Sequence, residues 1–549
     1  MSGIRRFSVQ TVVGVALVGL SVFGAPAVQA QTPAPASPGP ERRLSITDAV
    51  ELALKQNADL DVVRIAPLIQ DETIAQARGN WAPSLTSFFQ GNNANSPPNS
   101  FLSGGQSKIT NTQALYNFGV TSNLPWNGSS YSVGWDNYRS TTNNDFANFS
   151  PQLGSTFSLN FTQPLLRNFG IDQTRQQLQV SRKNREISEV QVAETVATTT
   201  RAVKNAYWDL VFSLNSLDVQ RLSLDLANRS LKENRARVEI GTMAPIDIVQ
   251  AEAEVAQREE AVIVAEAAIA RNEDALRALI YGEHAEDQWN SRLVPTDAAT
   301  FAPIAVDLDA VTRAALASRT DIQQAQKTLE ANDIVIRFLR NQGLPALNAA
   351  VDYGATGIGG TQFIRGAGFP GPVTGTLERP FTDILRNVVG ADFPTWTFTM
   401  NLSYPLGKSA QDANLARARL QNQQSMKQLD SSRIRVATEV RETARMVTTN
   451  GKRVEATRAS RALAEKRLEA EEKKFQAGMT TNFFVLQAQR DLNQARNNEL
   501  QALIDYLKSV VNYETAQVAP IGNGANVTPV NTGGGNITTG QQQQQQRQQ

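Results

Sequence analysis

The strongest structural signal in this chain lies at residues 171–240, which read IDQTRQQLQVSRKNREISEVQVAETVATTTRAVKNAYWDLVFSLNSLDVQRLSLDLANRSLKENRARVEI. The stretch contains no glycine and no proline, although the chain of 549 residues has 35 Gly and 23 Pro. It is rich in Ala, Leu, Gln, Arg and Glu, which favour helix. We therefore predict one helix over 172–238, about 100 Å long. That length is typical of a coiled coil rather than of a helix in a compact core.

Three further stretches share this composition and predict helices of their own. They lie at 246–281, 408–477 and 479–519, and among them only the second contains a glycine, Gly451. The predicted helices cover 243–281, 409–475 and 480–516. Each long helix precedes a shorter one across a turn that contains a glycine, Gly241 or Gly478, so the four helices form two hairpins.

The segments between the helices have a different period. Every second residue of 396–404 is aromatic or aliphatic, and the residues between them are Thr, Asn or Ser. A similar alternation runs, with some exceptions, through 114–121, 131–135, 157–162 and 347–353. We predict strands within 84–164 and 346–405. Segments of about ten residues with one apolar side are typical of transmembrane β-barrel strands, although a half-buried sheet of a soluble protein shows the same pattern.

The composition excludes most kinds of catalytic and binding site. The chain has no Cys, which excludes disulfides, thiolate metal sites and Cys nucleophiles. Its single His, His284, excludes metal sites built from several His. Lys and Arg number 53 against 52 Asp and Glu, so the chain has no global basic field that could hold nucleic acid. We predict no enzyme activity, no cofactor, no metal and no nucleic-acid partner.

Two kinds of motif that can carry chemistry are weak in this chain. The acidic pair at Glu252 and Glu254 and the acidic run at 469–472 read as solvated helix faces rather than as acid–base pairs. The glycine cluster at 357–360 lacks the Lys and the following helix of a phosphate-binding loop, so we predict a flexible loop there.

The two ends of the chain lie outside the predicted fold. Residues 1–30 combine arginines, an apolar run and small residues at Val28 and Ala30, which predicts a signal peptide; a membrane anchor is the alternative, for which the apolar run is short. Residues 31–43 predict a disordered linker and 518–549 a disordered tail. No later apolar run is long enough for a transmembrane helix, so entry into a membrane would require a closed barrel.

The chain contains the same series of features twice, in 44–281 and in 306–517, joined by a linker at 282–305. Each half reads helix, proline, strand, loop, strand, proline, long helix, glycine turn, helix. The residues that match in order are Pro83 with Pro345, Pro164 with Pro405, and Gly241 with Gly478. Because three kinds of match occur in one order, we infer an internal duplication.

This order of features resembles the TolC-like outer membrane efflux protein family, the outer membrane factors of tripartite efflux and type I secretion systems. The resemblance covers nearly all of 44–517. It rests on the helix–strand prolines, on the segments Thr162–Leu166 and Ser403–Leu406, and on the turns 241–248 and 478–487. It implies an α+β membrane protein in which long coiled-coil helices form a trimeric α-barrel and the strands of three chains share one transmembrane β-barrel.

The resemblance implies an outer membrane channel that extends into the periplasm. Such a channel passes small molecules (drugs, toxic compounds) or polypeptides from an inner-membrane pump. The expected partners are two further copies of the chain, a periplasmic adaptor (membrane fusion) protein, the inner-membrane transporter and outer membrane lipid. The alternative is a periplasmic coiled-coil adaptor or structural protein without a pore, which shares the helices but needs no strands with an aromatic side.

The number of strands stays open between four and six per chain. The family usually has two strands in each half, but 112–121 and 130–139 predict an extra hairpin in the first half. Short periplasmic turns, as barrel proteins have, fit six strands. We favour the alternative, in which the hairpin lies outside the wall and each chain supplies four strands.

The turns of the two helical hairpins are the candidate site, because the resemblance implies that they form the periplasmic opening. The residues concerned are Gly241, Thr242, Asp247, Gly478, Thr480, Phe483, Phe484 and Gln487. In the family, acidic residues ring this opening and bind cations, but the matching positions here are Phe484 and Gln487, so the ring is absent. Phe483 and Phe484 either close the pore by apolar contact or pack between neighbouring helices.

Asp247 matches an acidic position that, in the family, latches the closed state through an arginine. The aligned partner position here holds Thr480, which argues against such a latch. The alternative role of Asp247 is to stabilise the nearby helix N-terminus by charge–dipole attraction. Gly241 and Gly478 are expected to permit the tight turns themselves.

Overall fold

The computed structural model describes residues 41–98, 106–282, 289, 291–368, 371–407 and 409–522. The helices, in chain order, are α1 (Ile46–Gln56), α2 (Ala58–Gly79), α3 (Gln173–Glu239), α4 (Ile246–Ile280), α5 (Leu308–Ser318), α6 (Thr320–Gln342), α7 (Phe381–Val389), α8 (Ala410–Gln476) and α9 (Asn482–Ala516). The strands are β1 (Glu41–Leu44), β2 (Ser84–Ser96), β3 (Ile109–Asn123), β4 (Ser130–Thr142), β5 (Phe149–Pro164), β6 (Arg292–Pro295), β7 (Ala346–Arg365), β8 (Val373–Arg379) and β9 (Pro394–Ser403). The predicted signal peptide and His284 lie outside the described residues.

Four long helices form two antiparallel hairpins. α3 and α8 have 67 residues each, and α4 and α9 have 35 each. α3 pairs with α4, α8 pairs with α9, and α3 also packs along α9. The Asp172 carboxylate caps the start of α3, and Ser409 forms a capping box with Asp412 at the start of α8. Of the helices in the described part of the chain, not one has both the length and the apolar content that a membrane crossing requires.

The largest apolar core joins the helices to a small parallel sheet. Leu44 of β1 and Leu293 of β6 pack with Leu276 of α4 and Tyr207 of α3. The Tyr207 hydroxyl donates to the Asp297 carboxylate at 2.8 Å. Burial, together with this carboxylate, raises the pKa of Tyr207 to about 12. The start of the described chain is therefore held against the middle of both hairpins.

Two predicted boundaries are corrected by this part of the fold. Residues 41–43 were expected in a disordered linker, but they belong to β1, which pairs with β6 so that Glu41 lies opposite Arg292. The linker predicted over 282–305 thus contains a strand. Strands of four residues are too short to show a period, and their partners are far apart in the sequence, so the pattern could not reveal them.

The predicted tail also begins too early. The Thr320 backbone N–H donates to the Val518 carbonyl at 3.0 Å, and Ala519 is fully buried. The Ile521 N–H donates to the Glu439 carboxylate at 2.6 Å. Residues 518–522 are therefore packed against the helices, and the prediction of disorder is wrong for them; residues beyond 522 lie outside the described part.

The large sheet has seven strands. β2, β3, β4, β5 and β7 follow one another as antiparallel neighbours. β9 pairs with the first part of β7 and β8 with its last part. The β3–β4 hairpin lies within this sheet, between β2 and β5, so the interpretation that placed it outside is wrong. The first half supplies four strands, and the side-chain alternation of β3 and β4 is in phase with that of their neighbours.

The register gives the sheet one apolar and one polar side. The apolar face carries Leu85, Phe89, Tyr116, Phe118, Trp135, Phe157, Leu159, Phe161, Val351, Tyr353, Trp396, Phe398, Met400 and Leu402. The polar face carries Thr86, Asn117, Asp136, Asn160, Asp352 and Thr397. On the apolar face the Phe118 ring lies 5.6 Å from Phe89 and 6.2 Å from Trp135. Most of the apolar-face side chains are exposed in the single chain.

The short helix α7 lies against β7. Its Ile384 and Val388 are buried over Gly357 and Gly359, and a Cβ added to Gly357 would lie 2.6 Å from the Ile384 carbonyl oxygen. Residues 357–360 therefore form part of a strand on which a helix backbone sits closely, and the prediction of a flexible loop is wrong. Alternate glycines remove the side chains from one face of a strand, which is what such an approach requires.

Candidate functional site

The first hairpin turn, between α3 and α4, is closed by a Schellman motif. Gly241 has φ +76°, in the left-handed region. Its N–H donates to the Val238 carbonyl at 3.0 Å, and the Thr242 N–H donates to the Arg237 carbonyl at 2.9 Å. These two bonds satisfy carbonyls that the end of a helix leaves without partners.

The second turn, between α8 and α9, repeats this geometry. Gly478 has φ +72°. Its N–H donates to the Phe475 carbonyl at 3.1 Å, and the Met479 N–H donates to the Lys474 carbonyl at 2.9 Å. A Cβ at Gly241 or at Gly478 would meet open space, so the requirement for glycine comes from φ alone.

Apolar side chains are exposed at both turns. Ile240 and Ile246 flank the first turn, and Met479 flanks the second. Phe483 and Phe484, which follow the second turn, are 56% and 52% exposed, and their rings meet edge to face with centroids 5.6 Å apart. Within one chain the two phenyls are thus available to a neighbour.

Asp247 and Thr480 have separate surroundings. Asp247 lies in the first turn of α4, which has no side-chain cap, so its charge favours the helix N-terminus. The Lys474 ammonium, with a smaller contribution from the Thr480 hydroxyl, lowers the pKa of Glu471. Among the described residues, no hydrogen bond or ion pair joins Asp247 to Thr480. Gln487 donates from Nε2 to the Asp491 carboxylate at 2.8 Å.

An ion pair with a buried carboxylate, which the sequence pattern did not reveal, joins the two hairpins close to their turns. Glu254 of α4 is only 3% exposed, and its Oε2 lies 2.6 Å from Nη2 of Arg490 on α9. Its other oxygen lies 2.5 Å from Nη2 of Arg258. Burial works to raise the pKa of Glu254, but the hydrogen bonds from Arg490 and Arg258 together lower it below its ordinary value.

The prediction that Glu252 and Glu254 form a solvated helix face holds for one residue and fails for the other. Glu252 pairs with Arg235 on the neighbouring helix at 2.7 Å, and both side chains are about half exposed. Glu254 faces the second hairpin instead. Two residues that are two positions apart on a helix point in different directions, and only the packing of α9 shows which one is buried.

One further contact connects the hairpins beside the turns, and like charges lie near it. The Arg237 guanidinium of α3 lies 4.4 Å from the centroid of the Phe475 ring of α8, a cation–π contact. Burial and the nearby charges of Glu233 and Glu469 raise the pKa of Glu472. Attraction at Phe475 is therefore opposed by repulsion one turn of helix away.

The four junction prolines lie where strands and helices meet. Pro83 and Pro345 directly precede β2 and β7, Pro164 is the last residue of β5, and Pro405 follows β9 by two positions. The structure brings two of the junctions together, because the Leu165 N–H donates to the Leu347 carbonyl at 2.8 Å. The residue before a proline is biased toward extended backbone, which explains why helices stop ahead of Pro83 and Pro345.

Metal-binding side chains are not gathered in the described part of the chain. Within it, no cluster of three or more His, Cys, Asp or Glu side chains could hold a metal ion. The candidate site consists of two glycine turns, exposed apolar side chains and an ion pair between hairpins, an arrangement that can contact a partner.

Comparison with known families gives a direct match. Residues 129–281 and 311–516 match the sequence profile of the family described as outer membrane efflux protein. The two matched segments cover more than half of the chain and contain both hairpins. Comparison with curated proteins finds no matching sequence.

Several solved structures share the fold. The CmeC outer membrane channel of Campylobacter jejuni has a TM-score of 0.60 at 15% identity, with 86% of this chain and 85% of that chain covered. The outer membrane protein VceC of Vibrio cholerae has 0.58 at 14% identity, with 86% and 95% covered. The open state of the MtrE outer membrane channel of Neisseria gonorrhoeae has 0.55 at 16%, with 86% and 88% covered. At these identities the likeness is one of fold.

Proposed function

Because this chain belongs to the TolC-like outer membrane efflux protein family, we propose that it is the outer membrane channel of a tripartite export system. Three copies form one tube, whose strands make a transmembrane β-barrel and whose long helices continue into the periplasm as a hollow shaft. Small molecules, such as drugs and toxic compounds, or polypeptides enter from an inner-membrane transporter and leave outside the cell. The proposal includes no catalysis and no cofactor.

The observation that carries this proposal is the sheet with two different faces and two free edges. Within the described residues, β2 has a partner on one side only, and all 13 of its residues are exposed. β9 is the last strand beyond β7. Unpaired edges of this length invite pairing with another chain. Five antiparallel steps separate β2 from β9, so the β9 edge of one copy can pair antiparallel with the β2 edge of the next.

A head-to-tail contact of this kind closes a ring when the rotation between copies is right. Closure places the apolar face toward lipid and the polar face toward the lumen, as in known membrane barrels. The lumen then carries Asp136 and Asp352, whose charges would be costly on the lipid side. The division of the two faces thus supports a membrane wall rather than a soluble sheet.

The equal helix lengths support the internal duplication. Both hairpins combine a 67-residue helix with a 35-residue helix and end in the same Schellman turn. Hairpins of equal length end at one level, about 100 Å along α3 from the sheet. In a ring of three copies the six turns therefore form a single rim, which we assign as the periplasmic opening.

The rim is the surface that we assign to a periplasmic adaptor. Ile240, Ile246 and Met479 expose apolar area there, which a soluble protein without a partner would leave unfavourably in water. Phe483 and Phe484 point to a constriction of six phenyl rings, two from each copy. An adaptor that binds the rim and separates the hairpins would open this constriction.

Single-particle imaging of the detergent-extracted protein tests the proposal. We expect a three-fold hollow particle with a short barrel at one end and a helical shaft of about 100 Å. A solid rod, or a monomer released from the envelope by carbonate without detergent, would contradict the channel. Either result would favour the alternative of a periplasmic coiled-coil protein without a pore.

A further inference from the structure

The position of α7 on the sheet is not explained by a channel of strands alone. The helix packs over Gly357 and Gly359 of β7. Residues at odd positions of β7 share one side of the strand, so these glycines continue the row of Val351 and Tyr353. α7 therefore sits on the apolar face, the side opposite to Asp352, and does not cover the polar side.

The apolar side of α7 is wider than its contact with the sheet. Ile384 is 1% and Val388 8% exposed, so these two side chains face β7. The next side chains around the helix are also apolar: Phe381, Leu385 and Val389, which is 79% exposed. At 100° per residue, these five residues cover an arc of about 140°, and the sheet covers less than half of it.

A cleft lies between this exposed side of α7 and the sheet. Its volume is about 460 Å³, and its lining is apolar, with Trp135, Phe157, Tyr353, Leu385, Val388 and Val389. Three of these residues belong to the apolar face and three to the helix. The cleft is therefore continuous with the exposed aromatic surface of the sheet.

We propose that α7 is an interfacial helix on the lipid side of the wall, and that its cleft receives acyl chains of the surrounding membrane lipid. This inference rests on the proposed function, because only a closed barrel turns the apolar face toward lipid. From Leu347 to Ala355 the apolar face extends about 26 Å along the strand, which corresponds to about 20 Å along the membrane normal at the tilt of about 40° that barrel strands have. α7 lies directly beyond, at the upper boundary of a hydrocarbon band of about 25 Å.

The polar side of α7 suits this boundary. Asp383, Arg386 and Asn387 lie on the helix surface opposite Phe381, near the middle of the apolar arc, and the Arg386 side chain is 80% exposed. Amphipathic helices lie in the interface with the apolar side among acyl chains and the polar side among headgroups and water. The width of the apolar arc and the position of the helix on the apolar face of the sheet both place the exposed Val389 side chain in lipid.

Spin-label accessibility tests this inference in the full-length protein. The chain has no cysteine, so Val389→Cys provides a single labelling site, and its high exposure makes the change harmless to packing. Arg386→Cys is the matched control on the polar side of the same helix. In liposomes, collision with oxygen reports lipid, and collision with nickel-EDDA reports water. We expect the ratio of oxygen to nickel collision to be severalfold higher at residue 389 than at residue 386.

Two labels on the wall separate failure of this inference from failure of the proposed function. Phe398→Cys reports the apolar face and Thr397→Cys the polar face of β9. If the label at 398 is in lipid while the label at 389 meets nickel, the channel stands and the interfacial helix is wrong. If both reagents are excluded at 389, a neighbouring copy covers the helix and the lipid assignment is also wrong. A water-exposed label at 398 would contradict the membrane wall itself.

Discussion

Two glycines determine how the hairpins turn. Gly241 and Gly478 have φ of +76° and +72°, and open space surrounds both positions. A methyl group at either position therefore meets no neighbour, and only the backbone conformation opposes it. Substitution of either glycine by alanine therefore measures the free-energy cost of a left-handed backbone conformation at the end of a helix.

Replacing either glycine by alanine is expected to destabilise its turn by about 1 kcal/mol. In Gly241→Ala the Thr242 amide should exchange with solvent faster, and in Gly478→Ala the Met479 amide should do so. Gly79→Ala is the control, because Gly79 ends α2 with open space around it and without a positive φ. Equal exchange in variant and native protein would show that the turns tolerate alanine.

The pair of the buried Glu254 with the half-exposed Arg490 is expected to hold the hairpins together near the turns. Glu254→Gln takes the counter-charge from Arg258, whose side chain is 13% exposed, and from Arg490, at a cost of about 1–3 kcal/mol. Glu252→Gln is the matched control, since its pair with Arg235 is half exposed and is worth at most about 1 kcal/mol. Hydrogen exchange of the backbone amides at the start of α4 measures the loss of stability in both variants. Similar exchange in the two variants would contradict the role of Glu254.

The same pair predicts a dependence on pH. The pKa of Glu254 is lowered in the fold, so its contribution is complete above the ordinary value of 4.5 and is lost as the pH falls through the native pKa. The pKa of Glu472 shifts in the opposite direction, because burial and the charge of Glu233 raise it. The ionised Glu472 therefore destabilises the contact at neutral pH.

Glu472→Gln is accordingly expected to raise the melting temperature at pH 7, and the gain should shrink as the pH falls toward 4.5. Glu471→Gln is the neighbouring control. The Lys474 ammonium lowers the pKa of Glu471, so that variant should lose stability at pH 7. Thermal melts followed by circular dichroism at several pH values compare the two, and a gain for Glu472→Gln that is independent of pH would argue against repulsion.

Sequence reasoning at this scale identifies residue types but not their neighbours. The glycine positions follow from the composition of two long helical stretches, so the turns were accessible to prediction. Glu254 was not, since its partner lies on a helix more than two hundred residues later. For Phe483 and Phe484 the choice between closing a pore and packing between helices depends on side chains of other copies.

The elements differ in how clearly the sequence encodes them. The helix predicted over 172–238 lies at Gln173–Glu239, because the absence of glycine and proline leaves no competing conformation. β1 and β6 were missed because four residues show no period. α7 was missed because its nine residues follow a stretch with several glycines and prolines. Its apolar side packs against a strip of glycines on β7, and the sequence pattern does not show that these two segments meet.

The close contact between α7 and β7 makes a prediction at the scale of elements. Gly357→Ala places a methyl group 2.6 Å from the Ile384 carbonyl oxygen, so the helix has to shift away from the strand. A spin label at residue 389 should become more mobile in this variant. Gly375→Ala in β8 is the control, because its nearest atom is 3.9 Å away. Unchanged mobility in Gly357→Ala would show that the helix is not held by this contact.

For the whole molecule, the described fold of one chain is incomplete by itself. The sheet has free edges, and the apolar face and the second turn expose aromatic rings. The pattern of strands, helices and prolines was sufficient to recognise the family, because the order of features is duplicated. The number of strands was not predictable, since the alternation in β3 and β4 is the same whether a hairpin joins the wall or lies beside it.

Removal of both phenyl rings at the second turn tests the constriction in the assembled protein. Phe483→Ala combined with Phe484→Ala takes six rings from the opening of the proposed trimer, and we expect a severalfold higher ionic conductance in planar bilayers. Met479→Ala is the control, because Met479 is exposed and apolar but lies in the turn itself. Unchanged conductance with a lower melting temperature would show that the rings pack between neighbouring helices instead.

The matching lengths of the helices limit how such a protein can change over generations. α3 and α8 have 67 residues each, α4 and α9 have 35 each, and their turns end together. An insertion in one helix alone would lift one turn out of line and break its packing against the partner helix. A longer or shorter relative therefore needs four coordinated insertions or deletions, each of whole heptads so that the contact faces stay aligned. If the helices form the proposed periplasmic shaft, periplasms of different widths should be matched by shafts whose lengths differ in discrete steps.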